Sequence, residues 1–252
     1  ECTELTSQLA RASVKGHQGN LSDSNTVMAT AKHFIGDGST DFGVEGGNTT
    51  LTMQEVSNRL LPPYRDAVKS GVGAVMVSFN TMSDKAMHAH KALIIDTLKT
   101  SMRFDGIVVT DWKGYTRFGE NAIINAGVDM VMAVDGDLDV FQTKLKAAVL
   151  NDSVSVERVN DAVKRILRQK FRLGLFEHPF PDASLIPHIG SQSHRNKARQ
   201  AVRESLVLLK NKDNALPVDK KTQKIVVVGE HANNSGLQSG GWTIWWQGTN
   251  EN

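Results

Sequence analysis

The sequence runs to 252 residues, enough for one large domain or two smaller ones, and its 40% hydrophobic and 22% charged composition is that of an ordinary globular chain. Its 29 basic and 27 acidic residues nearly cancel, so it offers no electrostatic footprint for nucleic acid or an anionic membrane. Cys2 is the sole cysteine, which excludes an internal disulfide and a cysteine-based zinc site, and no apolar run approaches the roughly 20 residues that span a bilayer.

In chain order, short apolar runs alternate with helical patterns. Residues 28–33 read as a first strand. Thr52 and Glu55 form a capping box ahead of a helix that Pro62-Pro63 interrupts and restarts and that Gly71 closes. Residues 74–78 give a second strand, and Ala92, Leu93, Ile95, Leu98 and Met102 stripe the next helix. A third strand at 107–110, a short helix at 119–126 closed by Gly127, a fourth strand at 128–134 and a helix at 138–150 follow. All four strands are brief, apolar and without polar alternation, as in strands covered on both faces. Ser155 then caps a helix lined by Val159, Val163, Ile166 and Leu167 and ended by Gly174.

The period fails from Phe176 to Gln192, which marks a linker over 178–193. Helical spacing resumes at Ala198, Ala201, Val202, Leu206 and Leu209, and residues 225–229 read as a strand opening a second α/β unit. Four strand–helix units in a row imply an α/β fold with a parallel sheet bending toward a barrel. A closed (β/α)8 barrel takes about 250 residues, so four units before the linker predict half a barrel.

In such barrels reactive groups sit at the C-terminal ends of strands. Three segments carry suitable ones. Lys32 and His33, followed by the turn Ile35-Gly36-Asp37-Gly38, offer adjacent donors for substrate hydroxyls, although a strand-end lysine alone is more often a surface charge. Asp111 directly follows a buried β-run, where a carboxylate needs partners or a task. Trp112 beside it suits the apolar face of a sugar, while a helix-capping role for Asp111 is the alternative. Trp242, Trp245 and Trp246 either fill a core or form a ligand platform.

Together these motifs resemble glycoside hydrolase family 3, over nearly the whole chain from residue 26. The resemblance is carried by Ala31-Lys32-His33-Phe34, Val75-Met76-Val77-Ser78 with Met87-His88 downstream, and Thr110-Asp111-Trp112. It continues through Gly127-Val128-Asp129-Met130, Gly174-Leu175-Phe176, the Ser-Leu-Val-Leu-Leu-Lys-Asn run at 205–211, and the tryptophan segment at 240–247, which is similar to exo-β-glucanase and β-glucosidase members.

The resemblance implies a retaining β-glucosidase in which Asp111 attacks the anomeric carbon and forms a glycosyl-enzyme intermediate. Lys32 and His33 would hydrogen-bond hydroxyls of the sugar being cleaved, and Trp112 would pack near its ring. Trp242 and Trp246 would sandwich the neighbouring sugar. The implied partner is a β-linked glucoside or oligosaccharide, with no metal or organic cofactor. It also implies residues 1–177 as the second, C-terminal half of a (β/α)8 TIM-type barrel, and 194–252 as the beginning of an α/β sandwich domain.

A sugar-binding Asp and Arg would precede residue 1, and the acid/base Glu would follow residue 252. The 252-residue chain is therefore expected to be inactive alone and to need the missing parts of the same polypeptide. Family resemblance favours a secreted or periplasmic location. Residues 1–5 lack the regions of a signal peptide, and sequons at Asn20, Asn48, Asn151 and Asn233 are compatible with secretion without deciding it.

Departures from the family pattern are also informative. Ile35-Gly36-Asp37-Gly38 stands where members acting on N-acetylglucosamine carry Pro-Gly-His-Gly, Phe79 where many relatives have Tyr, and Met82 where plant members have Trp. Two rival readings are a catalytically dead sugar-binding protein and a Schiff-base aldolase using Lys32. His88-Ala89-His90 lacks a third metal ligand, and Asp135, Asp137 and Asp139 lack the later Glu of a calcium loop.

Overall fold

The computed structural model describes residues 2–134, 136–242 and 245–249 and divides into two units, Glu1–Pro187 and His188–Asn252. In the first unit three parallel strands, β1 (Thr30–Phe34), β2 (Ala74–Val77) and β3 (Ile107–Val109), lie in that order. Thr30 pairs with Ala74 and Ala74 with Ile107, so the three strand starts are level and their C-terminal ends open on one side. β2 and β3 are short apolar runs without an exposed residue, and they form the centre of the core with Phe34, Leu93, Leu98, Ile123 and Val128.

The expected fourth strand at 128–134 is reduced to a single parallel bridge, Val109 with Met130. Its pairing is nonetheless in register: the Asp129 and Met130 amides both donate to the Val108 carbonyl, and the Thr110 amide donates to the Met130 carbonyl. Beyond that point the Met132 amide turns to the Thr110 hydroxyl at 2.8 Å, and the ladder stops.

Most helices fall where the sequence places them. Thr52 and Glu55 form the capping box, and Pro62-Pro63 occupies the first turn of a new helix, Leu61–Lys69. Between them Val56–Leu60 is π-helical, as is Ala92–Ser101. Asp137–Leu150 and the Ser155-capped Val156–Arg172 follow. A helix that the pattern does not reveal, Thr3–Gln18, precedes β1 and packs against Leu61–Lys69.

Two polar devices hold the strands at the end opposite the site. The buried Gln18 carboxamide accepts from the Ala29 and Gly73 amides at 3.0 and 2.9 Å and donates to the Gly71 carbonyl at 2.8 Å. It therefore ties the entries to β1 and β2 together. Arg165 donates to the Phe104 and Gly106 carbonyls at 2.8 and 3.1 Å, fixing the entry to β3.

Beside β3, the fully enclosed Asp129 carboxylate accepts from the Val108 amide, Lys99 and Arg158. Burial pushes the Lys99 ammonium down to about 8 against the opposing pull of Asp129. A buried carboxylate shared by an amide and two cations is fully partnered, as a charge in the core must be.

The second unit departs from expectation. Its helix Gln192–Ser205 is capped by Ser191 but stops before Leu206, which is extended, so Leu206 and Leu209 do not continue the helical face. An apolar run of four fits a strand period as readily as a helical one. No strand forms at 225–229; Ile225 to Val228 are well exposed, and no ladder partner lies beside them among the described residues. A strand is stable only when its backbone groups are paired, so the predicted opening of a second sheet is absent here. Asp135, Thr243 and Ile244 lie outside the described residues.

Candidate active site

Because β1, β2 and β3 are parallel and level, the segments that leave their C-terminal ends converge. After β1 the chain turns through Gly36, at φ 102°, where a Cβ would meet the Asn80 carboxamide at 2.9 Å. Thr49 donates its hydroxyl to the Gly36 carbonyl, and the buried Asn80 donates to that hydroxyl at 3.0 Å. The loops following β1 and β2 are thus pinned to each other.

Asp111 follows the enclosed Thr110 beyond the end of β3. Its carbonyl accepts from the Gly114 amide at 3.0 Å, which closes a turn whose corner, Lys113, is left-handed. The Asp111 side chain is 16% exposed, open enough to meet a substrate and closed enough to be shaped by its neighbours. Oδ1 accepts from the Trp112 amide at 2.6 Å. Oδ2 faces His33 Nε2 at 3.6 Å, and the other imidazole nitrogen, Nδ1, lies 3.2 Å from Asp37 Oδ2. The structure therefore brings His33 and Asp111 together and adds Asp37, to which the sequence reading gave no role.

His88 is a second addition. It is fully enclosed, and its Nε2 accepts the Asp111 backbone amide at 3.1 Å. Phe118 and Phe79 stack on it, with ring centroids 4.7 and 5.9 Å away. The Arg117 guanidinium lies 4.8 Å from the centroid of Phe79 and 5.1 Å from that of Phe118. Burial drives the imidazole down to about 4; Asp111 opposes that shift, and Arg117 reinforces it. Among the described residues no cluster of three or more His, Cys, Asp or Glu is placed to hold a metal.

The remaining predicted site residues are more scattered. Lys32 is exposed on β1 and shares with His33 and Asp37 a cavity of about 530 Å³ whose far wall includes Thr6, Arg59 and Tyr64; Asp111 does not line it. Trp112 is 53% exposed beside Asp111, as a ring awaiting a partner would be. Trp242 and Trp246 belong to the second unit. Both are exposed, their ring centroids are 6.4 Å apart at an angle of 59°, and the Trp242 amide donates to the Trp246 carbonyl. Neither ring is buried among the described residues.

Comparison with known proteins adds an independent line. Residues 1–169 match the glycosyl hydrolase family 3 N terminal domain and residues 206–251 match the family's C-terminal domain. The periplasmic β-glucosidase of Salmonella typhimurium is 33% identical over 96% of this chain, and the lysosomal β-glucosidase of Dictyostelium discoideum is 29% identical over 98%. Among solved structures, the exo-1,3/1,4-β-glucanase of a Pseudoalteromonas species superposes with a TM-score of 0.89 at 38% identity, covering 97% of this chain. A β-glucosidase from Listeria innocua gives a TM-score of 0.77 at 30% identity over 85% of this chain. The chain spans about a third of the length of these relatives, 34% and 32% of the two β-glucosidases and 32% of each of the two solved chains.

Proposed function

The chain belongs to glycosyl hydrolase family 3, and we propose that it carries the nucleophile side of a retaining β-glucosidase or exo-β-glucanase site, with Asp111 as the attacking carboxylate. The observation that carries this reading is the environment of Asp111. It is a largely enclosed carboxylate beyond the end of a parallel strand, with one oxygen held by a backbone amide and the other turned toward His33.

In the first step Asp111 Oδ2 bonds to the anomeric carbon while the bond to the leaving oxygen breaks, and that oxygen takes a proton from a second carboxyl group. Water, deprotonated by the same second group, then displaces Asp111, and two inversions give net retention. The two carboxyls of such a pair stand about 5 Å apart. We place the second one outside these 252 residues, so the chain by itself is proposed not to turn over glucosides. No metal or organic cofactor is called for.

Lys32 and His33 bind hydroxyls of the sugar being cleaved, and Trp112 packs against its ring. Trp242 and Trp246 clamp the adjoining sugar. In this reading residues 1–177 are the second half of a (β/α)8 barrel, 178–193 a linker and 194–252 the beginning of an α/β sandwich domain. The sheet order β1-β2-β3 and the Val109–Met130 bridge support the first assignment. The Schiff-base alternative on Lys32 is set aside on the strength of the family.

The substrate class follows from relatives named as β-glucosidases and a β-glucanase. A secreted or periplasmic location is favoured by the periplasmic relative, and no described helix is long and apolar enough to cross a membrane. The test is to follow hydrolysis of an aryl β-glucoside by the full-length protein with proton NMR. β-Glucose as the first-formed anomer supports the reading, whereas α-glucose first sinks it.

A further inference from the structure

We propose that His88 is a positioning residue for the nucleophile, its neutral imidazole accepting the Asp111 amide and fixing the backbone from which the carboxylate reaches the sugar. The proposal rests on the reading of Asp111 as nucleophile. Its grounds are geometric. His88 is brought to the site by the 3₁₀ turn Met87–Ala89, and it is fully enclosed. The polar contact of its Nε2 is the Asp111 amide, 23 residues away in sequence, at 3.1 Å.

The imidazole has little freedom to move. Phe118 covers one face almost parallel to it, at 15°, and Phe79 stacks at 29°. On the edge nearest Asp111 the space is closed by Gly114, where a Cβ would sit 2.7 Å from Nε2 and 2.8 Å from Cδ2. A phenyl ring would fill the same slot between two phenylalanines with no imidazole to desolvate. What it would lose is the acceptor for Asp111, and that is the reason to place a histidine there.

The acceptor role requires a neutral ring with the proton on Nδ1, an enclosed nitrogen beside the Ser78 backbone, whose interaction with the ring raises its pKa against the effect of burial. Burial keeps it neutral, with Arg117 reinforcing and Asp111 opposing as the charged groups that face it. With the Asp111 amide held from one side and Oδ1 held by the Trp112 amide, the direction of Oδ2 is set before substrate arrives. Such preorganisation is worth most where a displacement of about 1 Å costs on the order of a hundredfold in rate.

The test uses the full-length protein and an activated 2-deoxy-2-fluoroglucoside, measuring the rate of covalent trapping together with the inhibition constant of glucose. His88→Phe should slow trapping by about a hundredfold while glucose inhibition changes by less than about threefold. His88→Gln, whose amide oxygen can accept in place of Nε2, should regain at least about tenfold of that loss. Gly114→Ala, which pushes the imidazole off its seat, should behave like His88→Phe and carries the test if the phenylalanine variant does not fold. Trapping at the wild-type rate in His88→Phe or Gly114→Ala overturns the role, as does an equal loss in the glutamine and phenylalanine variants accompanied by a matching loss of glucose affinity. Absence of label on the wild-type protein would overturn the reading of Asp111 and this role together, whereas a labelled wild type with indifferent variants overturns this role alone.

Discussion

His33 Nε2 stands 3.6 Å from Asp111 Oδ2, the carboxylate oxygen left over once Oδ1 has taken the Trp112 amide. The same imidazole reaches Asp37 through Nδ1. Asp37 therefore helps fix the orientation of a ring that faces Asp111 and that the proposed function also places against the sugar. Loss of a hydrogen bond to a charged group costs about 1.5–3 kcal/mol, or roughly tenfold to a hundredfold in rate. His33→Ala in the full-length protein is expected to lower kcat/KM on an aryl β-glucoside within that range. Asp37→Asn, which leaves the ring in place but loosens it, should lower it less, by about threefold to tenfold. Steady-state kinetics decide; an Asp37 effect larger than that of His33 would mean that Asp37 acts directly.

The second prediction concerns Gln18. One carboxamide satisfies two amides and one carbonyl at the entries to β1 and β2. Replacing it by Leu leaves buried backbone groups unpaired, at about 1–3 kcal/mol apiece before relaxation. Gln18→Leu should lower the urea midpoint by the equivalent of about 2–4 kcal/mol. Gln8→Leu, on the exposed part of the same helix, should change it by less than about 0.5 kcal/mol.

A contrast of carboxylates gives the third. Asp129 is enclosed between Lys99 and Arg158, whereas Asp105 is an exposed partner of Arg172. Asp129→Asn removes the enclosed carboxylate of a network in which Asp161 still faces Lys99 and Arg158, and should cost about 2–4 kcal/mol, somewhat less than stranding a buried charge outright. Asp105→Asn should cost under about 1 kcal/mol, because solvent screens an exposed pair. Equal effects in a denaturation experiment would contradict the picture of Asp129 as the charge anchor of β3.

Acid stability supplies the fourth. The folded His88 titrates near 4 against an ordinary 6.5, so between those values the unfolded chain holds the proton and the folded one does not. Stability from this group is complete above about pH 6.5 and falls as pH drops toward 4, by at most on the order of 3 kcal/mol. Thermal melting between pH 7.5 and 4.5 should therefore fall less steeply in His88→Gln than in the wild type. Identical slopes would show that the imidazole takes up its proton in place.

Much of the architecture was legible in the sequence because burial on both faces leaves a clear mark. The apolar runs at β2 and β3, the Thr52–Glu55 box and the Ser155 cap all read directly, whereas β1 (Thr30–Phe34) forms near the expected place although Thr30 and Lys32 are exposed. Thr3–Gln18 was missed because its buried residues are Ser7, Val14 and Gln18; two of the three are polar, so no apolar stripe marks the helix. The fourth strand was overread because an apolar run does not reveal how many ladder bonds it makes, and after Met130 those bonds go to Thr110 instead.

Asp111, Lys32, His33 and Trp112 stand out in the sequence by their places at or beside strand ends, and the role of each is a proposal. Asp37 and His88 do not stand out in this way. Asp37 acts through a side chain four residues back, and His88 through a backbone amide 23 residues on, a relation that no sequence period encodes. The Met87-His88 pair did stand among the motifs of the resemblance, and that was the one available signal.

The central claim is that Asp111 forms a bond to the anomeric carbon. Its most direct test is to incubate the full-length protein with an activated 2-deoxy-2-fluoroglucoside, digest it, and locate the added mass by sequencing the labelled peptide. The account predicts one fluoroglucosyl unit per chain, on Asp111, and none in the Asp111→Asn protein. A label on any other carboxylate, or an unlabelled protein that still hydrolyses β-glucosides, would contradict it.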